Sequence, residues 1–382
     1  MVAASRLKKK ENIIREPVTD ENFPALLKAA AIYGPNASGK STLFMALRLL
    51  SEMAIAKPSP ETIELPVCAF RFDPDLRNEP SRFEVHFAES GVRYGFELAM
   101  TTSRIHHEKL TVYKKGKAQL LYSRTFDGVT ERYMFGKSLQ GNRELHDVWR
   151  KLTGPQVLFL SQAVANSSAE LDQLRQPYLW LADLMFESQG MRASLHLTQR
   201  LIAQQPSFGD EVADLLSDVD VPVTAIRSTH DDRTATFKTT LTHRSALGEA
   251  TFDLNEESDG TKNLMGFAVP WFLFRHPSGG SNNKVLFVDE LDSSLHPRVV
   301  QALIERHVAS DLGCQLIFTT HDTHLMDTRV LRRDQIWFTE RDSVGATQLR
   351  CAHEFEGRES EDLEKRYYEG RYRALPFVRK GY

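Results

Sequence analysis

Three short, continuous apolar runs stand out along the chain, and a polar segment follows each of them. The runs are Ala29–Tyr33, Val285–Val288 and Leu316–Phe318. Such runs are typical of strands in a parallel sheet, which are buried on both faces. Because parallel strands end at the same edge of an open sheet, we expect the polar segments that follow them to lie close together.

The rest of the pattern predicts antiparallel strands and helices around this sheet. Alternating apolar and polar residues predict antiparallel strands from Pro66 to Thr125 and again from Val221 to Leu254. We expect a helix over Leu43–Ala54, ended by Lys57–Pro60, and a helical region over Glu170–Leu216. The predicted fold class is therefore α/β, with a mixed or parallel core sheet, an antiparallel β layer and a short helical insert.

The segment after the first run has the pattern of a phosphate loop. It reads Gly34-Pro35-Asn36-Ala37-Ser38-Gly39-Lys40-Ser41, with two glycines separated by four residues and followed by Lys and Ser. Backbone N–H groups and the positive end of the next helix would converge on phosphate oxygens, Lys40 would reach the β- and γ-phosphates, and Ser41 would offer its hydroxyl to Mg²⁺. The predicted nucleotide contacts in this loop are Gly34, Asn36, Ser38, Gly39, Lys40, Ser41 and Thr42.

The second run ends in the acidic pair Asp289-Glu290. We expect Asp289 to contact Mg²⁺ and Glu290 to be the base that takes a proton from the attacking water. Taken alone, two acids at a strand end are more often simply solvated. The residues that follow, which include Asp292, favour the catalytic interpretation.

The third run delivers His321 to the same sheet edge, where its imidazole could hydrogen-bond the γ-phosphate or the attacking water. His324, just beyond it, is interpreted as a surface residue. A further segment, Glu257–Asn263, predicts a helix start with Ser258 or Asp259 as the N-cap and with Gly260 leaving the backbone open. Such an end could bind the phosphate of a nucleotide held by another subunit, or it could be an ordinary capped helix.

Taken together, these segments resemble the ATP-binding heads of the ABC and SMC superfamily. Gly34 to Ser41 corresponds to Walker A, Ser258 to Thr261 to the signature, Val285 to Glu290 to Walker B, Asp292 to the D-loop and His321 to the switch histidine. The resemblance implies an ABC-type ATPase head that uses ATP and Mg²⁺. It also implies a head-to-tail homodimer in which Ser258, Gly260 and Asp292 contribute to the nucleotide site.

The same resemblance places Gln162 where such heads carry a Q-loop glutamine that contacts the metal, although a plain surface glutamine fits equally well. It also divides the composite head into three segments. These are residues 1–165, an N-terminal lobe with Walker A and the antiparallel layer; residues 166–220, a helical insert; and residues 221–382, a C-terminal lobe with the signature, Walker B, the D-loop and the switch histidine.

Within the superfamily, the chain is most similar to compact bacterial ATPases of abortive-infection and phage-defence loci, relatives of the OLD-family ATPase domain. The similarity rests on Asn36–Ser41, on Thr319–Leu325 and on the tail Leu363–Tyr372. Relatives usually open with an extra strand that carries an Asn-Phe-Arg-like motif, whereas only about thirty residues precede the loop here. A missing strand would leave an edge of the front β layer open to other chains.

Composition and charge limit the classes of partner. The chain has 382 residues and a net charge of −3, so contact with DNA would have to be a local patch. Cys68, Cys314 and Cys351 lack metal-ligand spacing and suit a reducing cytoplasm. No apolar segment is long enough to cross a bilayer, so we expect no membrane contact.

Two basic clusters could form such a patch. One lies on a predicted hairpin, where a solvated face is the favoured interpretation. The other is in the tail, where arginines and aromatic residues suit either a docking surface or a terminal helix packed on its own head. The hairpin cluster comprises Arg104, His106, His107, Lys109, Lys114, Lys115 and Lys117; the tail cluster comprises Lys365, Arg366, Arg371, Arg373, Arg379 and Lys380, with Tyr367, Tyr368, Tyr372 and Phe377.

The sequence therefore predicts a cytoplasmic ATPase switch: ATP closes a homodimer, and hydrolysis reopens it. The resemblance suggests that the switch controls an effector in anti-phage defence, such as a separate TOPRIM-type nuclease. An alternative is a DNA-binding repair or tethering module gated by ATP. A transporter ATPase subunit is a weaker alternative, because there the signature follows Walker A by about half the separation found here.

Overall fold

A six-stranded sheet forms the centre of the molecule. The computed structural model describes residues 1–7, 11–19, 21–57, 64–188, 192–219, 221–275, 283–358 and 361–376. The strands are β1 (Ile13–Ile14), β2 (Leu26–Leu27), β3 (Ala29–Tyr33), β4 (Ser81–Glu89), β5 (Val92–Met100), β6 (Ile105–Lys114), β7 (Lys117–Phe126), β8 (Glu131–Phe135), β9 (Met185–Glu187), β10 (Val223–Asp231), β11 (Thr236–Ser245), β12 (Gly248–Asp253), β13 (Val285–Val288), β14 (Gln315–Thr319), β15 (Ile336–Arg341) and β16 (Thr347–Cys351). The helices are α1 (Lys40–Ile55), α2 (Arg143–Leu152), α3 (Phe159–Ala165), α4 (Arg175–Ala182), α5 (Arg192–Gln204), α6 (Pro206–Ser217), α7 (Asp259–Arg275), α8 (Pro297–Ala309) and α9 (Leu363–Tyr368).

The central sheet has the strand order β16-β15-β3-β14-β13-β9. Its neighbours are parallel except for β15 and β16, which are antiparallel. The strands β3 and β13 are buried at every residue, as the continuous apolar runs predict. Because β3, β13 and β14 are adjacent and parallel, the loops that follow them leave from one edge of the sheet.

Helices cover both faces of this sheet. On one face α1 packs through Phe44, whose ring lies 5.2 Å from that of Phe287. On the other face α7 and α8 pack against Leu286 and Val288, with Phe267 of α7 and Leu303 of α8 in the same apolar cluster. The strands therefore alternate their side chains between two cores, which fixes their register.

An antiparallel layer of five strands, β4 to β8, stacks on the far side of α1. Leu50 and Met53 of α1 belong to its core, together with the buried Trp149 of α2. A third sheet, β10-β11-β12, packs beside α5 and α6. The predicted fold class, with a mixed core sheet, an antiparallel layer and several helices, is confirmed.

The structure differs from the sequence prediction between α4 and α5. The region expected to be helical contains β9, which pairs in parallel with β13 and extends the core sheet. Its three residues are too few for a periodicity to show. The segment 166–220 is therefore not purely helical, while the boundaries at 165 and 220 stay a prediction, as does a strand missing from the front layer.

Candidate functional site

The phosphate-loop segment joins β3 to α1, as the sequence predicts. Tyr33 ends β3, Lys40 begins α1, and Ala37 and Gly39 have positive φ angles of 61° and 100°. Two left-handed residues in six reverse the chain tightly enough for the N–H groups of the loop to share one concave side. Asn36, Ser41 and Thr42 are exposed, whereas Ser38 is buried.

Lys40 lies under this loop and is only 8% exposed. Its ammonium donates to the carbonyl oxygens of Gly34 at 2.8 Å and Pro35 at 3.2 Å. Burial lowers the pKa of Lys40, while the nearby carboxylates of Asp289, Glu290 and Asp292 act to raise it. The predicted lysine and the predicted acids therefore interact electrostatically, although more than two hundred residues separate them in sequence.

Two threonines of the β15–β16 hairpin hold the loop from behind. The Thr339 hydroxyl lies 2.5 Å from the Ser38 hydroxyl, and the Thr347 hydroxyl donates to the Ser38 carbonyl at 2.9 Å. A Cβ on Gly34 would come within 2.1 Å of Thr339 Oγ1, and one on Gly39 within 2.1 Å of Thr347 Oγ1. Close approach of the hairpin therefore requires glycine at both positions, and the positive φ of Gly39 adds a conformational reason there.

The acidic pair follows β13 and is held by Thr319, the last residue of β14. The Thr319 hydroxyl donates to Asp289 Oδ1 at 2.6 Å and accepts from the N–H of Glu290 at 2.7 Å. Glu290 has a φ of 56°, a left-handed conformation that is rare for a residue with a side chain. Such strain commonly marks functional sites and here turns the chain sharply after Asp289.

Asp292 connects this turn to His321, the predicted switch histidine. Its Oδ2 accepts from the N–H of His321 at 3.1 Å. Its Oδ1 is buried without a hydrogen-bond partner among the described residues. An unsatisfied buried carboxylate oxygen is costly, so Asp292 has capacity for a further donor. The His321 side chain is exposed.

The predicted signature forms the start of α7. The hydroxyl of Ser258 accepts from the N–H of Thr261 at 3.1 Å, so Ser258 caps the helix. This segment contacts the D-loop of the same chain: Asn263 donates to the Ser293 carbonyl at 3.1 Å, and a Cβ on Gly260 would lie 2.8 Å from the Ser294 carbonyl. The loop that carries Asp292 thus bridges the signature helix and His321.

Gln162 is not brought to this site, which corrects the Q-loop interpretation. It is buried in α3, where its neighbour Ser161 donates to the carbonyl of Ala54 at 2.7 Å. Ala54 is near the far end of α1, about 20 Å along the helix from Lys40 at a rise of about 1.5 Å per residue. A residue there cannot contact a metal beside Ser41.

Sequence reasoning missed three threonines: Thr339 and Thr347, which hold the phosphate loop, and Thr319, which holds the acidic pair. It also missed β9, whose last residue, Glu187, accepts from the N–H of Asp289 at 2.9 Å. For the Q-loop, the signal in the sequence would have been a glutamine soon after the strand that neighbours the Walker B strand. Gln189 meets that description but lies outside the described residues.

The donor set suits a magnesium nucleotide. Mg²⁺ requires hard oxygen ligands, which a serine hydroxyl and a carboxylate provide. A triphosphate requires hydrogen-bond donors, which an ammonium group and the backbone N–H groups of the loop provide. Ser41 and Asp289 would hold the metal, and Lys40 the phosphates.

The family described as "AAA domain, putative AbiEii toxin, Type IV TA system" matches residues 29–327. The chain belongs to this family. The match begins at the first residue of β3 and ends beyond His321, so it spans Walker A, the signature, Walker B and the switch segment. The AbiEii-type AAA domain is an ABC/SMC-like ATPase head related to abortive-infection ATPases, and the predicted resemblance is confirmed.

No curated protein matches the chain. Similar solved structures include the SMC head domain from Thermotoga maritima, with 13% identity, a TM-score of 0.38 and coverage of 89% of this chain and 97% of that chain. Another is an SmcHead bound to the C-winged helix domain of ScpA, with 12% identity, a TM-score of 0.38 and coverage of 86% and 92%. A third is cbiO1 from Clostridium perfringens, part of the ABC transporter complex cbiONQ, with 12% identity, a TM-score of 0.31 and coverage of 87% and 82%.

The basic hairpin of this AbiEii-type AAA domain was another candidate surface for partners. On the basic hairpin, Arg104 pairs with Glu131 at 2.5 Å and Lys109 with Glu97 at 2.7 Å, so part of its charge is neutralised.

Within the described ranges, no helix is long and apolar enough to span a membrane.

Proposed function

We propose that this AbiEii-type AAA domain binds ATP with Mg²⁺ and hydrolyses it with Glu290 as the base. The observation that carries the proposal is the convergence of Lys40, Asp289 and Glu290 at one edge of the core sheet, where the carboxylates act on the pKa of the lysine. Two parallel strands, β3 and β13, deliver these residues on either side of β14, and such edges are where α/β sheets collect ligands.

Each residue has a distinct role in this proposal. The N–H groups of the loop and the ammonium of Lys40, once it leaves the Gly34 and Pro35 carbonyls, bind the phosphates. Thr319 orients Asp289 and the backbone of Glu290, whose carboxylate accepts the proton of the attacking water. Mg²⁺ held by Ser41 and Asp289 would supply charge stabilisation at the phosphate oxygens.

Two variants test the assignment of the base and the lysine. Lys40→Ala should abolish ATP binding, because it removes charge-assisted hydrogen bonds of about 1.5 to 3 kcal/mol each. Glu290→Gln should bind ATP normally and lower kcat by about 10² to 10⁴. Binding is measured with a fluorescent ATP analogue and turnover by phosphate release. Normal turnover by Glu290→Gln would show that Glu290 is not the base.

We also propose that two subunits close head to tail around ATP. Ser258 and Gly260 open α7 beside the D-loop, and Asp292 Oδ1 has capacity for a further donor. These groups would meet the nucleotide and the switch segment of the second subunit. Sedimentation of Glu290→Gln with ATP and Mg²⁺ should give a dimer, and Ser258→Arg should stay monomeric while still binding ATP. A monomer in the first sample contradicts this part.

We propose that the ATPase acts as a cytoplasmic switch in anti-phage defence and controls an effector such as a TOPRIM-type nuclease. The family description, which names AbiEii and a toxin–antitoxin system, supports a defence role. A strain carrying the gene with its neighbours should resist phage, and Lys40→Ala should remove that resistance. Equal resistance with the Lys40→Ala gene would separate defence from ATP binding.

A further inference from the structure

The C-terminal segment 362–374, which we name the clasp, packs on the ATPase head itself. Tyr367, Tyr372 and Ala374 are buried in the main apolar cluster, and the Tyr372 ring stacks on Phe338 at 4.3 Å. Two arginines of the clasp are bound locally: Arg366 contacts Glu361 at 2.7 Å and Arg371 contacts Glu369 at 3.0 Å. For these residues, packing on the head is the interpretation that holds, while Phe377, Arg379 and Lys380 lie outside the described residues.

The clasp forms hydrogen bonds with the segment that follows His321, through Thr323, which is two residues after that histidine. The Thr323 hydroxyl donates to Glu364 Oε1 at 2.5 Å and lies 3.2 Å from the Tyr368 hydroxyl. Thr323 is 9% exposed, Glu364 is half-buried and Tyr368 is exposed, so the contact is shielded from water on the Thr323 side. A short hydrogen bond to a carboxylate is among the stronger kinds.

The same clasp also touches the strands that carry the phosphate loop. Its Tyr367 ring lies 6.3 Å from that of Tyr33, the last residue before Gly34, and 5.9 Å from that of Phe338, the neighbour of Thr339. Tyr33 in turn donates to the carbonyl of Asp322 at 3.0 Å. The clasp is therefore joined both to the base of the phosphate loop and to the turn beyond His321.

We infer that the clasp positions His321: Glu364 and Tyr368 hold Thr323, and Thr323 fixes the turn that sets where the imidazole stands relative to the phosphates. The inference rests on the proposed ATPase function and adds to it three positioning residues outside the motifs. We name the contacts of Thr323 with Glu364 and Tyr368 the brace. A histidine on an exposed turn needs such support, because small displacements of a reacting group lower rates steeply. The brace also connects the clasp to the proposed nucleotide site.

A matched pair of substitutions tests the brace. Thr323→Val keeps the shape of the side chain and removes the hydroxyl, whereas Thr323→Ser keeps the hydroxyl. We expect Thr323→Val to lower kcat by roughly tenfold to a hundredfold with the KM for ATP within about twofold. Thr323→Ser should restore most of kcat. Lys365→Ala, an exposed change on α9, the helix that carries Glu364 and Tyr368, should behave as wild type.

A second measurement needs no hydrolysis. In the ATP-free protein, amide hydrogen exchange at residues 321–326 should be about tenfold faster in Thr323→Val than in wild type, and unchanged in Lys365→Ala. Wild-type protein without Lys40-dependent hydrolysis overturns the proposed function, and exchange still reports on the brace. Wild-type kinetics together with wild-type exchange in Thr323→Val overturns the inference while leaving the proposed function in place.

Discussion

At the scale of single residues, one hydroxyl connects the two acids of the site. Thr319 Oγ1 donates to Asp289 and accepts from the backbone of Glu290, so it orients the carboxylate of the proposed metal ligand Asp289 and holds the left-handed turn at Glu290. Left-handed backbone costs roughly 1 to 2 kcal/mol for a residue with a side chain. The hydrogen bond from the Glu290 N–H offsets part of that cost.

Removing this hydroxyl should therefore impair turnover without abolishing binding. Thr319→Val leaves the shape of the strand and takes away both hydrogen bonds, so the Asp289 carboxylate and the backbone turn at Glu290 lose a contact that holds them. We expect kcat to fall about tenfold or more, with ATP binding within a few-fold of wild type. Steady-state phosphate release and analogue binding measure the two effects. Thr319→Ser is the control, and unaltered kcat in Thr319→Val would refute the role given to the hydroxyl.

At the scale of elements, the β15–β16 hairpin shapes the phosphate loop by close approach. Because a Cβ on Gly34 would lie 2.1 Å from Thr339 Oγ1 and 2.8 Å from the Thr339 carbonyl oxygen, alanine cannot enter without displacing the strand. Overpacking of this kind typically costs about 1 to 3 kcal/mol. Gly34→Ala should therefore weaken ATP binding and lower the free energy of unfolding.

The double variant isolates the contact with Thr339 Oγ1. Adding Thr339→Ala to Gly34→Ala removes that contact and leaves the contacts of the new Cβ with Ser38 Oγ at 2.7 Å and with the Thr339 carbonyl oxygen at 2.8 Å. We expect partial recovery of stability and ATP affinity, measured by urea unfolding and analogue binding. Full recovery would show that the strand backbone does not limit the loop, and no recovery would show that Thr339 Oγ1 is not the obstacle.

Elements were predictable where their own residues determine them. Continuous apolar runs identified β3 and β13, and the chemistry of phosphate binding restricted the residue types around Lys40. The threonines at 319, 339 and 347 were not predictable, because their roles depend on the register of strands distant in sequence. Gln162 was misplaced for the same reason: a helix seen in sequence does not reveal which end of α1 it meets.

At the scale of the whole molecule, the buried ion pair of Glu108 and Arg124 joins the antiparallel layer to α3. Glu108 is fully buried and accepts from the N–H groups of Phe159 and Leu160 at 2.8 and 3.0 Å. Arg124, 1% exposed, donates to Glu131 at 2.8 Å and to the carbonyl of Val157 at 2.8 Å. Burial raises the pKa of Glu108, and Arg124 acts to lower it.

Breaking this network should destabilise the fold severely. Arg124→Met leaves Glu108 buried without its nearest positive charge, a change that typically costs about 3 to 5 kcal/mol. The matched control is Arg132→Met on the neighbouring strand, since Arg132 is 76% exposed and pairs with Asp127 at the surface. Urea unfolding at pH 7 compares the two. Similar losses of unfolding free energy in both variants would show that burial does not determine how much the Arg124 contacts stabilise the fold.

Acid should weaken the core through His307. This residue of α8 is buried at 0% exposure and donates Nε2–H to the Lys28 carbonyl at 3.0 Å. Burial lowers the pKa of His307 from 6.5 to about 4. The unfolded chain therefore binds a proton that the folded chain excludes, and the stability contributed by neutral His307 is full above pH 6.5 and is lost as the pH falls towards 4.

For these two pKa values, lowering the pH from 7.5 to 5 should remove about 2 kcal/mol of unfolding free energy. His307→Gln keeps an N–H donor for the Lys28 carbonyl and does not titrate, so its loss over the same interval should be smaller by that amount. Urea unfolding of both proteins at the two pH values gives the difference directly. Equal pH dependence in wild type and His307→Gln would mean that His307 is protonated as readily in the folded core as in the unfolded chain, and that other groups govern acid stability.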